Sequence, residues 1–409
     1  MTLQIDIETV FRFRKDDTAQ STAVMLDFLR DIRETGKLTE AARRSDLSYR
    51  HAWNLMIRWS DFFGVPLVQR HKGKGTALTP FGDKLVWAGQ RMRARLGPQL
   101  ENLSQELASE LNPFLADDPA IIRVHASHGF AVPKLREILS RTPGMNVDLR
   151  YVSNQNSLVS LAHDGCDLAG LHLPRGPLRA ASAEAGRAFL NNRDHCVIGF
   201  VARQMGLMVK RGNPHGITSV EDIAKPGVMF VNRDPDSGTR ELFEHVLQQH
   251  GVSASAIAGY EQIEFTHAAV AAYVASGMAD VTFGVEAAAQ QFGLDFIRIL
   301  TEDYFFICRR TLLETASMQR ILDVMRGEEF RQVLADLPGY IAVDTGLVRG
   351  IDEVFSAKPP RASAPQPENG AHGLNPKEAR FKARFKAPGF EESSSREANR
   401  HAALKRRKP

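Results

Sequence analysis

This sequence has few cysteines, and it lacks an export signal and long apolar runs. Its 409 residues include three widely separated cysteines, with no Cys-x-x-Cys pair and no histidine at zinc-site spacing: Cys166, Cys196 and Cys308. A disulfide framework and a cysteine-based metal site are therefore excluded, and a reducing compartment is favoured. The N-terminus lacks a positive start followed by an apolar block, and no apolar run approaches the ~20 residues that span a bilayer. We expect a cytoplasmic protein with no membrane segment and no metal.

Catalytic motifs are missing as well. The sequence has no Gly-x-Ser-x-Gly elbow and no Walker spacing, and neither Ser127 beside His128 nor His267 with Asp280 has a third partner that would complete a triad. His172 lies in an apolar stretch, where a core histidine is commoner than a metal ligand. The sequence thus predicts a protein that is not an enzyme, with no catalytic residue and no cofactor.

Charge is distributed unevenly along the chain. The apolar fraction of 43% and the charged fraction of 24% are ordinary for a folded protein, and the length predicts two or three domains. The net charge of +4 divides into +8 for residues 357–409 and −4 for the rest. Few apolar residues occur in this basic tail, so we expect it to be disordered, either as a solvated segment or as a binding arm.

A helix-turn-helix pattern is the strongest positive signal. Paired alanines in 38–44 favour a short helix that crosses another closely, 45–47 supply a turn, and Ser48 is placed to cap a second helix. In that helix Ala52, Met56, Trp59 and Phe63 form the apolar stripe. The opposite face is suited to reading bases in the major groove, and our candidate DNA-binding residues there are Ser48, Tyr49, Arg50, Asn54 and Arg58.

Segments on either side of this pattern complete a winged domain. Residues 22–34 have helical periodicity, the first fifteen residues contain one or two edge strands, and strands at 67–70 and 76–79 flank a glycine-rich tip. Lys72 and Lys74 in the tip are candidate phosphate contacts. We predict a DNA-binding domain at 1–111, including a long helix from Pro80 whose leucine stripe either packs on its own domain or, as we favour, forms a dimer. Gly97-Pro98 should kink or break that helix.

The remaining chain alternates short strands and helices. After a linker at 112–119, the rhythm over 120–356 predicts a two-lobed α/β effector domain with crossing strands. Strands are expected at 121–125, 147–152, 167–173, 206–209, 228–231, 280–285 and 297–308, and helices at 133–140, 158–163, 239–249, 267–276 and 318–337. The fold class is therefore α/β, with a winged helix-turn-helix, a long linker helix and a two-lobed domain like that of periplasmic solute-binding proteins.

Polar residues that follow the predicted strands suggest a ligand pocket. The loop 232–240 brings hydroxyls, a guanidinium and a helix start to one point, which favours an anion, although Ser237 is equally placed to serve as a helix N-cap. The neighbouring His128 and Thr266 are placed similarly. Our candidate ligand-binding residues are Ser127, Asn154, Ser157, Arg233, Ser237, Gly238, Thr239, Arg240, His267 and Tyr304.

Segments in two regions of the chain, the DNA-binding region and the effector region, carry a family resemblance. Residues 38–42, 48–54 and 64–70, followed by the Lys/Gly-rich wing, resemble the DNA-binding domain of ModE-type, molybdate-responsive regulators, with LysR-type regulators as more distant relatives. Residues 165–173 and 266–289 resemble the solute-binding-like domain of some ModE-like regulators, and Arg-x-x-x-Ser-Gly-Thr at 233–239 resembles the phosphate-gripping loop of phosphate-binding proteins. The resemblance covers roughly 20–345. Where such sequences often have Gly-Ser after the strand at 147–152, this chain has Ser153-Asn154.

This resemblance implies a function. It implies a transcriptional regulator, a homodimer or higher homo-oligomer, that binds double-stranded DNA and senses a small effector, either molybdate or tungstate or a molybdenum-cofactor compound. A solute-binding protein or an enzyme whose N-terminal helices only pack is the alternative.

Overall fold

A computed structural model describes residue 3 and residues 5–15, 18–21, 23–71, 75–114 and 121–355. The predicted basic tail, most of the linker and the two wing lysines Lys72 and Lys74 lie outside the described residues. Within the described ranges no helix combines the length and apolar character needed to cross a membrane.

The N-terminal domain is built on three helices and two small hairpins. Strand β1 pairs antiparallel with β2, which supplies the partner for the predicted edge strand, and β3 pairs with β4 as the wing. The core lies between the helices and includes Phe28, Leu29 and Trp59. The elements are β1 (Arg12–Lys15), β2 (Thr18–Ser21), α1 (Ala23–Thr35), α2 (Leu38–Arg44), α3 (Tyr49–Phe63), β3 (Val68–His71) and β4 (Gly75–Leu78).

Small residues and left-handed turns set the geometry of this domain. Ala41 and Ala42 are buried on α2, as the close helix crossing requires. Asp46 has a φ of 52° in the turn, and Gly64 caps α3 with a φ of 75°, a conformation that glycine adopts without steric cost. The predicted turn at 45–47 is confirmed, and α3 ends at Gly64.

The long helix α4 (Pro80–Leu111) is continuous through Pro98, so of the two predicted outcomes at Gly97-Pro98, a kink or a break, the break does not occur. Thr79 caps its start by accepting a hydrogen bond from the Gly82 amide at 3.1 Å, and Pro80 occupies the first turn, where no amide is needed. The 32 residues correspond to roughly 48 Å of helix.

The effector domain is organised on one eight-stranded sheet. Strands run in the order β11-β8-β12-β7-β5-β6, with β13 and β14 also paired to β8. β5, β6 and β7 are parallel, whereas β8 and β12 are antiparallel to each other over most of their length. The strands are β5 (Ile121–Ala126), β6 (Asn146–Tyr151), β7 (Leu168–Pro174), β8 (His195–Val209), β9 (Asn232–Arg233), β10 (Ile263–Glu264), β11 (Val281–Val285), β12 (Asp295–Arg309), β13 (Tyr340–Ile341) and β14 (Val348–Arg349).

Helices cover this sheet in two lobes. One core contains Phe200, Phe306 and Phe330, and the other contains the stacked rings of Phe230 and Phe243, whose centroids are 5.0 Å apart. β8 and β12, each 15 residues long, pass through both lobes and confirm the predicted crossing strands. The helices in the described ranges are α5 (Ala131–Arg141), α6 (Asn154–Ala162), α7 (Arg179–Arg187), α8 (Gly238–Gln249), α9 (His267–Ala275), α10 (Glu286–Gln291), α11 (Ala316–Arg326), α12 (Glu328–Ala335) and α13 (Ile351–Phe355).

One element prediction was wrong, and two others had the wrong extent. The expected strand at 228–231 is instead the two-residue β9, which pairs in parallel with β10, and Phe230 makes only an isolated bridge to Val281. The expected helix at 318–337 divides into α11 and α12 at Gly327. The strand predicted at 206–209 is only the end of β8. Both faces of β8 are buried, so its sequence lacks the alternation of apolar and polar residues that marks a half-exposed strand.

Candidate functional site

Helix α3 has the geometry of a recognition helix. The Ser48 hydroxyl accepts a hydrogen bond from the His51 amide at 3.2 Å and fixes the start of the helix. Ala52, Leu55, Met56 and Trp59 face the core. The predicted reading residues lie on the other face and are exposed: Ser48, Tyr49, Arg50, Asn54 and Arg58. Their contact with DNA stays a prediction.

An arginine of the wing docks on this helix. The Arg70 guanidinium lies 4.2 Å from the centre of the Trp53 ring and hydrogen-bonds the Tyr49 hydroxyl. Such a cation–π contact contributes about 0.5–1 kcal/mol at an exposed site. The wing is thereby held beside the N-terminal turn of α3, the part of a recognition helix that usually reaches the bases.

A cavity of about 250 Å³ lies between the two lobes of the effector domain. It is formed where β5, β6 and β9 end and where α8 and α9 begin, as expected for a ligand site at the carboxyl ends of strands. Its lining is Arg95, Pro98, Gln99, Asn102, Ser127, His128, Tyr151, Val152, Ser153, Asn156, His172, Arg203, Arg233, Asp234, Asp236, Ser237, Gly238, Thr239, Phe265, Thr266 and His267.

A buried polar chain forms one side of the cavity. Arg203 on β8 pairs with Glu302 on β12 at 2.7 Å, and Glu302 also lies 3.3 Å from Nδ1 of His172. The same His172 nitrogen is 3.1 Å from the Asn154 amide, whose oxygen accepts a hydrogen bond from Ser127 at 2.9 Å. Crossing strands and first lobe are therefore joined through hydrogen bonds that reach the cavity lining.

The start of α8 forms the facing side. Ser237 is the N-cap: its hydroxyl accepts a hydrogen bond from the Arg240 amide at 3.1 Å. Because a hydroxyl can accept this bond and still donate its own hydrogen, the N-cap role is compatible with a ligand role. A Cβ at Gly238 would lie 2.6 Å from the Asn154 amide nitrogen, so a larger residue would require the Asn154 side chain to move.

Several donors around the cavity are buried without a partner. Nε and Nη1 of Arg233, and Nη1 of Arg203, have no hydrogen-bond partner in the described part of the chain. The same holds for Nδ1 of His128 and of His267 and for Nε2 of His172. The second terminal nitrogen of Arg233 donates to the Phe265 carbonyl at 2.8 Å, while Asp234 is 3.9 Å away. Since an unpaired buried charge is costly, this arrangement favours an anionic ligand.

Protonation states follow from burial. Burial lowers the pKa of Arg233 to about 10, which leaves it charged at neutral pH. Burial also lowers the pKa of His128 to about 4 and that of His267 well below its usual value, with Arg233 adding repulsion in both cases. Burial raises the pKa of Glu302, but Arg203 and His172 outweigh this effect and bring it to about 2. At neutral pH the cavity therefore presents a charged guanidinium, two of whose nitrogens have no hydrogen-bond partner in the described residues, among neutral imidazoles.

Six of the predicted ligand residues meet at this cavity: Ser127, Arg233, Ser237, Gly238, Thr239 and His267. Thr239 and His267 also contact each other, with 3.4 Å between the hydroxyl and Nε2.

Four predicted ligand residues do not line it. Arg240 donates to Glu244 at 2.8 Å and lies 4.1 Å from the centre of the Tyr260 ring, so its guanidinium is occupied elsewhere. Ser157 is fully buried and donates to the Ser153 carbonyl within α6. Tyr304 donates to the Ser127 carbonyl from behind, and Asn154 borders a second cavity of about 220 Å³. Helix periodicity explains why Arg240 does not line the cavity: its side chain points along α8 towards Glu244, four positions further on.

Other lining residues escaped sequence reasoning. Arg203 is the only charged residue between Cys196 and Val209, and a charge within so apolar a strand was an available signal. Tyr151, Phe265 and the residues from α4 gave no comparable signal, because their role depends on which elements meet.

Metal binding has no structural support in the described ranges, where no group of three or more His, Cys, Asp and Glu residues is placed to hold an ion. The three cysteines are free and buried.

Two family descriptions match separate parts of the chain. Residues 25–83 match the bacterial regulatory helix-turn-helix proteins of the lysR family, and residues 135–326 match the PBP superfamily domain. The first match covers α1 to the wing and the start of α4, and the second covers most of both lobes.

Individual relatives were also found. The uncharacterized Bacillus subtilis (strain 168) protein YvgK is 30% identical over 199 residues, which is 49% of this chain and 64% of that protein. An uncharacterized Clostridium pasteurianum protein, encoded in the 5′ region of a 2Fe-2S ferredoxin gene, is 31% identical over 108 residues, 26% of this chain and 96% of that protein. This chain thus spans less than two thirds of the Bacillus relative.

Among solved structures, a hydrogen-peroxide-bound mutant of Corynebacterium glutamicum OxyR is similar with a TM-score of 0.40 and 14% identity, covering 76% of this chain and 92% of that one. Residues 25–83 therefore form a helix-turn-helix domain similar to that of the lysR family of bacterial regulatory proteins, and the chain joins that domain to a PBP-superfamily domain.

Proposed function

We propose that this protein is a one-component transcriptional regulator that binds double-stranded DNA through α3 and the wing and binds an anionic effector between the lobes. The effector we propose is an oxyanion, either molybdate or tungstate or the anionic group of a molybdenum-cofactor compound. The lysR-family match of residues 25–83 speaks against the alternative in which the N-terminal helices only pack.

Arg233 carries the ligand part of the proposal. Two of its guanidinium nitrogens lack partners although the residue is buried and remains charged at neutral pH. Asp234, its nearest carboxylate, is 3.9 Å away, too far for a hydrogen bond. An oxyanion accepts charge-assisted N–H bonds from a guanidinium, and it also accepts from hydroxyls such as those of Ser237 and Thr239 at the helix start.

The size and composition of the cavity bear on which anion fits. A volume of about 250 Å³ corresponds to roughly eight water molecules, so a bare tetrahedral anion would share it with solvent. Tyr151 and Phe265 add aromatic surface, and the exposed Asp236 adds an acceptor at the rim. These features favour an oxyanion borne on an organic group over the free oxyanion.

Dimerisation is the second part of the proposal. Leu103, Leu107 and Leu111 recur at four-residue spacing on α4 and are 50%, 43% and 45% exposed, which leaves an apolar stripe for a second copy. A two-fold pair of DNA-binding domains matches half-sites separated by about 34–36 Å along the DNA.

Calorimetric titration tests the ligand site. Purified wild type would be titrated with molybdate, tungstate, phosphate and sulfate, beside Arg233→Gln and Arg240→Gln. We expect Arg233→Gln to weaken anion affinity by roughly 10- to 150-fold, the effect of losing a charged hydrogen bond. Arg240→Gln removes the same charge from α8 and should bind within about threefold of wild type, because its guanidinium faces Glu244 and Tyr260.

Two results would contradict the proposal. If wild type binds none of the four anions and no molybdenum-cofactor compound, the oxyanion assignment fails. If Arg233→Gln binds as tightly as wild type, the anion site lies outside this cavity.

A further inference from the structure

Helix α4, which joins the DNA-binding domain to the effector domain, crosses the mouth of the effector cavity. Four of its residues line that cavity: Arg95, Pro98, Gln99 and Asn102. They span about two helical turns, so one helix closes a side that the two lobes leave open. The connection between the domains is therefore part of the site itself.

α4 is attached to both lobes at this crossing. On the first lobe, the Asn102 side chain makes two hydrogen bonds with the backbone of Tyr151, accepting at 2.8 Å and donating at 3.0 Å. Glu101 next to it pairs with Arg136 of α5. On the second lobe, Lys84 donates to the Ser276 carbonyl at 2.7 Å.

Pro98 explains a further attachment to the second lobe. Because proline has no N–H, the carbonyl of Ala94, four residues earlier, lacks its usual helical donor. The Thr266 hydroxyl donates to that carbonyl at 3.0 Å, and it also caps α9 by accepting from the Ala269 amide at 2.9 Å. The proline thus provides an acceptor at the cavity wall for a residue of the second lobe.

The side chains at the crossing leave donors for a ligand. The Arg95 guanidinium lies 3.7 Å from a carboxylate oxygen of Glu264, which is longer than a hydrogen bond, and 5.3 Å from the centre of the Phe265 ring. It is therefore loosely held. The Gln99 amide makes no hydrogen bond with any described residue, and its position is exposed at the cavity.

The other half of α4 holds the DNA-binding domain. Arg93 pairs with Asp27 of α1 at 2.6 Å, and Gln90 accepts a hydrogen bond from Arg33 at 3.0 Å. A Cβ at Gly89 would lie 2.8 Å from the Leu26 side chain, which shows how closely α4 packs on α1. Arg93 precedes Arg95 by two residues. The ion pair with α1 and the residue that lines the cavity are therefore within one helical turn of each other.

We propose that α4 is a wall of the effector site, with Arg95 and Gln99 contacting the bound anion, so that ligand binding fixes the helix that carries the DNA-binding domain. This inference rests on the proposed function for its ligand, whereas the bridging of the lobes by α4 is independent of any ligand. A ligand that contacts α4 and both lobes has differential affinity for the docked helix, which is what a shift in conformation requires.

Hydrogen exchange of the full-length protein without anion tests the bridge. We expect Asn102→Ala to speed exchange of the α4 amides from residue 99 to 106 by tenfold or more, because both bonds to Tyr151 are lost. Glu106→Ala, one turn further on the exposed face, should exchange like wild type. Equal exchange in Asn102→Ala and wild type would overturn the bridge.

Titration with molybdate tests the ligand contact. Arg95→Gln and Gln99→Ala should each weaken molybdate affinity about tenfold. Arg91→Gln is the matched control, because it removes the same charge one turn earlier, near Tyr273 and away from the cavity lining. If wild type binds molybdate but Arg95→Gln and Gln99→Ala bind equally well, α4 is not a wall of the site and the inference fails while the anion-sensing function stands. If wild type binds none of the four anions and no molybdenum-cofactor compound, the proposed effector fails, and the exchange experiment alone decides whether α4 bridges the lobes.

Discussion

Arg203 and Glu302 face each other on the two crossing strands, with 2.7 Å between Nη2 and Oε2 and exposed side-chain fractions of 1% and 2%. The strands that carry them pass between the lobes, and Arg203 also lines the effector cavity. One oxygen of Glu302 serves Arg203 and the other lies near His172. This ion pair therefore places a charge at the cavity without leaving it unbalanced.

Breaking this pair should destabilise the effector domain. Glu302→Gln keeps the side-chain shape but leaves the Arg203 guanidinium buried without a counter-charge, and we expect a loss of about 3–5 kcal/mol in the free energy of unfolding. Urea unfolding followed by circular dichroism measures it. Glu328→Gln, which loses only an exposed pair with Arg331, should change the free energy by less than about 1 kcal/mol. Similar losses in the two variants would contradict the structural role of the buried pair.

Stability should fall as the pH drops below neutrality. Burial lowers the folded-state pKa of His128 to about 4, whereas an unfolded histidine titrates near 6.5. Between these values the unfolded chain binds more protons, so the contribution of His128 is complete above about pH 6.5 and is lost as the pH falls towards about 4. Unfolding measured from pH 7.5 to 4 should show a shallower loss for His128→Asn than for wild type.

The exposed His163 provides the control for this pH dependence. His163→Asn should follow the wild-type curve, because its imidazole does not line the cavity. A His128→Asn curve that coincides with wild type would show that His128 does not contribute to the pH dependence.

DNA recognition should separate into specific and general contacts. Arg50→Ala and Asn54→Ala should each reduce discrimination between the operator and random DNA by ~1 to 3 kcal/mol, the value of one bidentate base contact. Lys72→Ala and Lys74→Ala should weaken both complexes equally and flatten the salt dependence. Binding isotherms at several salt concentrations measure both effects. Equal losses on operator and random DNA for all four variants would contradict the assignment of α3 as the reading helix.

The exposed leucines of α4 should determine the oligomeric state. Leu103→Glu with Leu107→Glu places charges in the apolar stripe, and we expect the full-length protein to become monomeric in sedimentation. Val159→Glu adds one charge at another exposed apolar position, on α6, and should leave the mass unchanged. A double variant that keeps the wild-type mass would move dimerisation to another surface or remove it.

Local sequence signals determined the DNA-binding domain and the outline of the effector domain. Ser48, the helical stripe Ala52 to Trp59 and Gly64 act within a few residues of one another, so the cap, the periodicity and the left-handed stop were predictable from the sequence alone. The same holds for the loop 233–239, whose donors sit at a helix start that the sequence itself marks.

Only the tertiary structure decided the partners across distance. Arg203 and Glu302 are 99 positions apart in the sequence and meet because β8 and β12 pair in that register. Thr266 donates to the carbonyl of Ala94, which is 172 positions away in the sequence. Arg240 does not line the cavity, because its guanidinium contacts Glu244 and Tyr260. Sequence periodicity assigns a residue to a face of its own helix or strand. The position of α4 beside the cavity depends instead on how separate elements pack, and no local sequence pattern encodes that packing.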